Sequence, residues 1–256
     1  MYQDDLFEGE TAVVTGASRG LGRSIAHRLA TCGADIVVAA RSSGDLATVA
    51  DEIESETGSD VLDVTVDVRN VEAVERLAER ATAFGDGTVE MLIANAGANF
   101  HAPVTELSEN AWRTIVDINL DGTYRCCHAF ADALAAANTG RVVTMSSVIG
   151  RDGTTESAHY SASKAGIEAL SRSLAMEWAE RDVRVNCVRP GLVATPGVEE
   201  NRGLTAETVD RDAVDRTLGH PDEIADLTCF LVSPGASYVD GQTYTAEGVP
   251  QRPGSG

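Results

Sequence analysis

A tyrosine and a lysine four residues apart are the side chains best suited to chemistry in this 256-residue chain. If residues 158–181 form a helix, Tyr160 and Lys164 lie on one face of it, about one turn apart. A free tyrosine has a pKa of about 10, and a neighbouring ammonium favours the phenolate and lowers that pKa. The pair therefore predicts a general acid and base that exchanges a proton near neutral pH.

Lys164 is also the only lysine in the chain, and the other 19 of the 20 lysine and arginine residues are arginines. An ammonium is a compact point charge, whereas a guanidinium is bulkier and forked. Retention of a single lysine at this position indicates that arginine could not replace it there.

Two further polar residues precede this pair. Ser147 follows a predicted strand at residues 141–146 and could donate a hydrogen bond to a substrate carbonyl. Asn119 falls in the middle of a predicted long helix at residues 111–137. Because asparagine is a poor helix former in such a position, we expect it to have a packing or water-binding role.

A glycine-rich turn follows the first predicted strand, Thr11–Thr15. Gly16 allows a sharp turn, Gly20 lets the backbone approach a pyrophosphate, and Gly22 permits close packing of the next helix, whose N-terminus would face the phosphates. The three glycines alone would also fit a plain tight turn, but their place after the first strand favours a dinucleotide. The candidate contacts in this turn are Gly16, Ser18, Arg19, Gly20, Leu21 and Gly22.

The end of the second predicted strand, Asp35–Ala40, bears on the choice between NAD and NADP. An acid there would bind the ribose hydroxyls and repel a 2′-phosphate. The strand is instead followed by Arg41 and Ser42, and no acid occurs before Asp45. Arg41 and Arg19 could bracket a phosphate. We therefore expect a preference for NADP(H), with NAD(H) as the alternative. Two solvent-exposed arginines without a ligand would also account for these residues.

The third and fourth predicted strands also end in residues suited to a cofactor. Asp67, followed by Val68, could accept a hydrogen bond from an adenine amino group. Asn95, Ala96 and Gly97 give a small surface where a cofactor could cross the sheet edge. Either group alone would also fit an ordinary turn.

Short apolar strands alternate with amphipathic helices along the whole chain, and this pattern predicts a parallel sheet with helices on both faces, an α/β fold in one domain spanning residues 1–256. Ligands bind beyond the carboxyl ends of such strands, where the residues above fall. Residues 250–256 are expected to fray. The predicted strands are Thr11–Thr15, Asp35–Ala40, 61–66, 89–94, 141–146, 183–189 and Thr243–Ala246, and the predicted helices are 21–32, 46–56, Val71–Phe84, 111–137, 158–181 and 221–231.

Composition excludes several classes of function. The formal net charge is −20, with 40 acidic against 20 basic residues, which disfavours nucleic acid and anionic membranes as partners. No apolar run approaches the roughly 20 residues that cross a bilayer, and the acidic N-terminal segment does not resemble a secretory signal. The five cysteines lack metal-site spacing and are expected to be core thiols, so we expect a cytoplasmic protein without a metal site.

Together, these motifs resemble the short-chain dehydrogenase/reductase family, in its shorter oxidoreductase branch, from about residue 9 to residue 248. The resemblance implies a doubly wound Rossmann fold with a seven-stranded parallel sheet and chemistry that needs no metal. It also implies that Tyr160 is the general acid, that Ser147 polarises the carbonyl and that Lys164 holds the nicotinamide ribose. Asn119 would anchor a water that relays protons to Lys164.

The resemblance extends to the C-terminal third of the chain. Residues 196–217 correspond to a mobile lid over the site. Many relatives end the last strand with Val-Asp-Gly-Gly, whereas this chain has Glu247 before Gly248, a departure that affects C-terminal packing rather than the catalytic set. The segment that fixes the nicotinamide carboxamide would include Pro190, Gly191, Val193 and Thr195.

With regard to the substrate, the sequence as a whole most resembles the 3-oxoacyl reductases that act on acyl carrier protein or coenzyme A thioesters. Sugar and simple alcohol dehydrogenases of the family look nearly the same. An enoyl or dienoyl thioester reductase and an inactive NADP-sensing module are weaker alternatives, because Ser147, Tyr160 and Lys164 are all present. In relatives, the two long helices pair across two-fold axes, so we expect a homotetramer, with a dimer as the fallback.

The charge composition yields a prediction about salt. An acidic excess with almost no lysine looks like a cytosolic protein of an extreme halophile, although an acidic protein with an arginine-rich codon bias would give the same counts. Salt shortens the screening length from about 10 Å at 0.1 M to about 3 Å at 1 M. We predict that activity and the thermal midpoint rise between about 0.1 M and about 2 M KCl, and that NADPH partly replaces salt by binding only the folded state. A melting series against salt, with and without NADPH, tests this, and a flat or falling midpoint would contradict it.

Overall fold

A computed structural model describes residues 3–137 and 139–249 of the chain. Over these residues, seven parallel strands form one sheet in the order β3-β2-β1-β4-β5-β6-β7, which confirms the predicted fold class. The expected frayed tail at residues 250–256 lies outside the described residues. The strands are β1 (Thr11–Thr15), β2 (Asp35–Ala40), β3 (Val61–Thr65), β4 (Met91–Ala94), β5 (Gly140–Met145), β6 (Val183–Pro190) and β7 (Thr243–Ala246).

Helices cover both faces of the sheet. On one face, Ile25, Leu46 and Ile224 belong to a single buried apolar cluster, and on the other Phe130 and Trp178 belong to a second. Strands buried on both sides read as continuous apolar runs, as the sequence does. The helices are α1 (Gly20–Thr31), α2 (Ser43–Thr57), α3 (Val71–Phe84), α4 (Glu109–Val116), α5 (Gly122–Ala136), α6 (Val148–Asp152), α7 (Ala158–Trp178), α8 (Pro196–Arg202) and α9 (Pro221–Val232).

The long helix predicted at residues 111–137 is wrong in one respect: it is not a uniform α-helix. A π-helical turn, Asp117–Asp121, joins α4 to α5, and the Gly122 amide donates to the Asp117 carbonyl five residues earlier. Such single π turns occur often at functional sites. This turn contains Asn119, which is fully buried.

Two short helices were not expected from the sequence pattern. Ser147 caps α6 by accepting a hydrogen bond from the Ile149 amide at 3.3 Å. Helix α8 begins at Pro196 within the segment predicted to be a lid. Both lie at the carboxyl edge of the sheet and are too short to show a helical period in the sequence.

The strand order creates a switch point at the carboxyl ends of β1 and β4. From β1, the chain winds outward through β2 and β3, then returns to place β4 on the other side of β1. The loops after β1 and β4 therefore diverge and leave a crevice, which is where open α/β sheets bind ligands. Among the described residues, no helix is both long and apolar enough to cross a membrane.

Candidate active site

The glycine turn after β1 is packed too tightly for side chains. Gly16 and Gly20 have φ angles of +69° and +58°, which favour glycine. A Cβ atom at Gly22 would lie 2.3 Å from the Gly16 carbonyl oxygen. The turn therefore brings main-chain amides close to the N-terminus of α1, where Arg19 makes no side-chain cap. This cradle fits a pyrophosphate.

Asn95 holds this cradle in place. Its amide nitrogen donates to the carbonyl oxygens of Thr15 at 2.8 Å and Gly16 at 3.3 Å. The Thr15 hydroxyl in turn accepts from the amides of Asn95 and Ala96, both at 3.1 Å. Asn95 therefore shapes the dinucleotide turn, a function that the sequence pattern alone did not distinguish from a direct cofactor contact.

The end of β2 lies beside the same cradle, because the Gly16 amide donates to the Ala39 carbonyl at 2.7 Å. Arg41 and Ser42 follow and are both exposed. Within residues 3–137 and 139–249, Arg41 makes no hydrogen bond or ion pair, and the Ser42 side chain makes no capping bond to α2. Both side chains are exposed where a phosphate could reach them, although the Arg41 charge also helps to lower the pKa of Asp67. Arg19 differs, since it pairs with Glu200 of α8 at 3.4 Å.

Asp67 and Val68 lie at the carboxyl end of β3, with a partner that the sequence analysis missed. The Arg69 guanidinium donates hydrogen bonds to both oxygens of the Asp67 carboxylate, from Nε at 3.0 Å and from Nη2 at 2.6 Å. That hydrogen bonding holds the pKa of Asp67 below its usual value. Val68 is buried and packs against Gly122, where a Cβ would lie 2.7 Å from its Cγ2 atom. An adenine contact from Asp67 thus stays a prediction and would share the carboxylate with Arg69.

Lys164 is nearly fully buried below Tyr160. Its ammonium donates to the Met145 carbonyl at 2.7 Å and lies 5.7 Å from the centroid of the Tyr160 ring. Burial lowers the pKa of Lys164 from 10.5 to about 8. The one lysine therefore lies where the four-residue spacing placed it, on the face of α7 that carries Tyr160.

The expectation that Lys164 lowers the Tyr160 pKa does not describe this structure. Burial raises the pKa of Tyr160, and a hydrogen bond with Ser147 opposes that rise. The largest cause is the burial of Tyr160 itself, while the Lys164 ammonium donates to the Met145 carbonyl and lies over the tyrosine ring. Tyr160 is consequently held as the protonated acid, with Ser147 beside its hydroxyl.

Asn119 connects the π turn to the strand end and to α7. Its side-chain oxygen accepts from the Ala98 amide at 2.8 Å, and its nitrogen donates to the Ala98 carbonyl and the Ser163 hydroxyl, both at 3.0 Å. Both amide hydrogens are thereby used, and one lone pair remains on the oxygen. A Cβ atom at Gly97 would lie 3.2 Å from that oxygen and 3.4 Å from the Lys164 Nζ. A water relay from Asn119 to Lys164 stays a prediction.

The segment after β6 closes the other side of the crevice. The Gly191 amide donates to the Ala246 carbonyl at 2.8 Å, and a Cβ there would lie 3.2 Å from the Glu247 side chain. Val193 is buried, and Thr195 lies against the glycine turn, 3.6 Å from a Cβ placed on Gly20. Pro190, the last residue of β6, pairs with Ala246. This segment therefore faces the phosphate cradle across the crevice.

The loop after β4 packs against the start of α7 next to Tyr160. The rings of Phe100 and His159 touch, with centroids 4.4 Å apart, and His101 lies 3.2 Å from the Ser157 hydroxyl. Burial lowers the pKa of His159 and keeps its imidazole neutral near pH 7. Since His159 is fully buried, Phe100 is the ring of this pair that solvent reaches.

Metal ligands are not gathered anywhere in the described part of the chain: no group of three His, Cys, Asp or Glu side chains could hold an ion. The five cysteines are all free thiols and all buried. Burial raises the pKa of Cys126 to about 12, so that thiol is inert.

Comparison with known proteins agrees with this geometry. A profile of the short chain dehydrogenase family matches residues 10–204. The cis-4-hydroxycyclohexanecarboxylate dehydrogenase of Sinomonas cyclohexanicum is 37% identical over 251 residues, which cover 95% of this chain and 97% of the relative. The chain belongs to the short chain dehydrogenase family and is an oxidoreductase of that family.

Two other proteins extend the comparison. The 3-oxoacyl-(acyl-carrier-protein) reductase of Chlamydia trachomatis serovar D is 32% identical over 244 residues, covering 95% of this chain and 98% of the relative. The crystal structure of L-sorbose reductase from Gluconobacter frateurii, complexed with NADPH and L-sorbose, superposes with a TM-score of 0.87 at 28% identity, covering 96% of this chain and 98% of that one. These relatives share the fold and differ in substrate.

The buried ammonium generates a prediction about pH. With a pKa of about 8, Lys164 loses its proton and its positive charge as the pH rises through that value, whereas Tyr160 stays protonated. We expect turnover in the reductive direction, at saturating NADPH, to be flat near neutral pH and to fall above about pH 8. Lys164→Arg, whose side chain stays charged, should lower the rate and remove this alkaline limb. A wild-type profile that stays flat well above pH 8 would contradict the assignment.

Proposed function

We propose that the protein is an NADP(H)-dependent oxidoreductase that interconverts a ketone and a secondary alcohol. The observation that carries the proposal is the convergence of Ser147, Tyr160 and the buried Lys164 beside the glycine cradle. NADPH is the hydride donor when bound, with its pyrophosphate held by the cradle. Every polar group that a carbonyl reduction needs is then on one edge of the sheet.

The residues divide the work of reduction. Tyr160, held protonated, gives its proton to the carbonyl oxygen as the carbonyl carbon gains a hydride. Ser147 donates a hydrogen bond to the same oxygen and stabilises the charge that develops on it. Lys164 holds the nicotinamide ribose through its ammonium group. Asn119 anchors the water that returns a proton towards Lys164.

Replacement of the proton donor tests this function directly. Tyr160→Phe removes one hydroxyl, and we expect turnover to fall by about 10²–10⁴-fold, the usual contribution of general acid catalysis, while NADPH still binds. Tyr124, half-exposed on α5, provides the control: Tyr124→Phe should leave turnover unchanged. Steady-state kinetics with a reducible ketone and NADPH titration by fluorescence give both readouts. A Tyr160→Phe enzyme that keeps more than half of wild-type turnover would refute the proposal.

The preference for NADP(H) rests on Arg41 and Ser42, which are exposed beside the cradle with no acid at the end of β2. Arg41→Ala should weaken NADPH far more than NADH, since only NADPH carries the 2′-phosphate. Arg113→Ala, a change to an exposed arginine on α4, serves as the control for loss of charge alone. Dissociation constants for both cofactors decide the matter, and equal losses would show that Arg41 does not contact the phosphate.

For the substrate we propose a 3-oxoacyl thioester, with a sugar or a simple ring alcohol as the second candidate. The 32% identical 3-oxoacyl reductase supports the first, and the 37% identical dehydrogenase of a hydroxylated cyclohexane acid supports the second. Phe100, which is 36% exposed and packs on the buried His159 ring, offers an apolar surface that suits an uncharged chain or ring. A panel of 3-oxoacyl thioesters, cyclic ketones and sugars, assayed with NADPH and NADH at molar salt, ranks them by kcat/KM.

We propose that residues 196–217 act as a lid and that the protein works in the cytoplasm of a halophile. The lid proposal is supported by the Arg19–Glu200 pair, which links α8 to the cofactor turn. A reducing compartment is supported by the five free thiols. The acidic composition supports a halophilic source.

We also propose a homotetramer, with a dimer as the fallback. Three large apolar side chains are exposed on the long helices: Trp112 on α4, Tyr124 on α5 and Met176 on α7, with 37%, 51% and 70% of their surfaces accessible. Such exposure is typical of an association surface. Light scattering at molar salt should give about four times the mass of the chain, and a monomer would refute the assembly.

A further inference from the structure

A largely buried ion pair lies one helical turn along α7 from Lys164. Arg189 of β6 donates to both carboxylate oxygens of Glu168, which is one turn beyond Lys164 on α7. Only 15% and 13% of these two side chains are exposed. Burial alone would raise the pKa of Glu168, but hydrogen bonds from Arg189 and Ser146 outweigh it and hold that pKa below its usual value.

Ser146 connects this ion pair to the catalytic residues. Its hydroxyl lies 2.6 Å from a Glu168 carboxylate oxygen and 3.0 Å from the Lys164 carbonyl oxygen, and it shares its one proton between them. In the chain, Ser146 stands between Met145, whose carbonyl accepts from the Lys164 ammonium, and Ser147. The Ser146 hydroxyl therefore links the end of β5 to α7 next to the proposed catalytic residues.

We propose that Ser146, held by Glu168 and Arg189, is a positioning residue that sets the distance between Ser147, two residues beyond the end of β5, and the Tyr160–Lys164 pair on α7. It touches neither substrate nor cofactor and acts through the residues on either side of it. Loss of its hydroxyl lets the strand end and the helix shift relative to each other, and small misplacements of reacting groups are costly. The inference rests on the proposed function of Ser147, Tyr160 and Lys164.

The same two elements offer a matched control. One step lower on β5, the Thr144 hydroxyl lies 2.7 Å from the hydroxyl of Ser171 on α7. This tie is also buried and also joins β5 to α7, but it is not adjacent to a catalytic residue. Ser171→Ala therefore also removes a buried hydrogen bond between β5 and α7, here between two neutral hydroxyls, and reports the structural effect.

The test compares Ser146→Ala with Ser171→Ala. We expect both to lower the thermal midpoint, Ser146→Ala by at least as much because it takes a donor from the Glu168 carboxylate, and only Ser146→Ala to lower kcat, by about 10- to 100-fold, with the Kd for NADPH unchanged. Equal kcat values for the two variants would overturn the proposal, as would a kcat loss in Ser146→Ala that only follows a loss of folded protein. A wild-type enzyme inactive towards every carbonyl substrate would instead defeat the proposed function.

The contribution of the ion pair is tested in combination. Glu168→Gln keeps an oxygen that accepts from Ser146 and should retain more activity than Glu168→Ala. In the Ser146→Ala background, Glu168→Ala should cause little further loss of kcat, because both act through one hydroxyl. A fully additive loss would show that Glu168 acts independently of Ser146. If Glu168→Ala does not fold, the Glu168→Gln enzyme alone and combined with Ser146→Ala provides the same comparison.

Discussion

The buried ammonium of Lys164 is the constraint on which the catalytic edge of this molecule depends. A charge removed from water is costly unless it is hydrogen-bonded, and the partner within reach is a main-chain carbonyl, that of Met145. That bond requires the end of β5 to lie against α7, which in turn places Ser147 next to Tyr160. The lowered pKa of Lys164 shows that this hydrogen bond offsets only part of the free-energy cost of burying the ammonium. The surrounding elements therefore have to hold the lysine in place.

The π turn in the long helix contributes to this support. An ordinary α-helix through residues 109–136 would present a different side chain at the position of Asn119. With one extra residue in the turn, the Asn119 amide reaches Ala98 on one side and Ser163 on the other. The loop after β4 is thereby fixed to the helix that carries Tyr160. A local irregularity in one helix thus aligns the cofactor side of the crevice with the catalytic side.

The sequence predicted the parts of the structure that follow from periodicity and spacing. The seven strands, the glycine turn and the alignment of Tyr160 with Lys164 all follow from local patterns. Some partners of the site residues do not, since Glu168 and Arg189 belong to elements that only the fold brings together; Arg69, by contrast, lies only two residues after Asp67. Arg69 is exposed and Glu168 reads as one more polar helix position, so neither carries a signal in the sequence. The π turn was likewise not predicted, because five π-helical residues hardly disturb a helical apolar pattern. The only sequence signal for it was an asparagine in the middle of a predicted helix.

The distribution of ion pairs shows how such an acidic protein keeps its site intact while its surface responds to salt. Screening acts on exposed charges and much less on buried ones. The Arg189–Glu168 pair below Lys164 is largely shielded from solvent, whereas 65% of each side chain in the Arg19–Glu200 pair is exposed. We therefore expect molar salt to weaken the Arg19–Glu200 contact between the proposed lid and the glycine turn far more than the bond network of Ser146. In the proposed function, opening of the lid and alignment of the catalytic residues would depend on separate ion pairs, of which the Arg19–Glu200 pair is the more exposed to the surrounding ions.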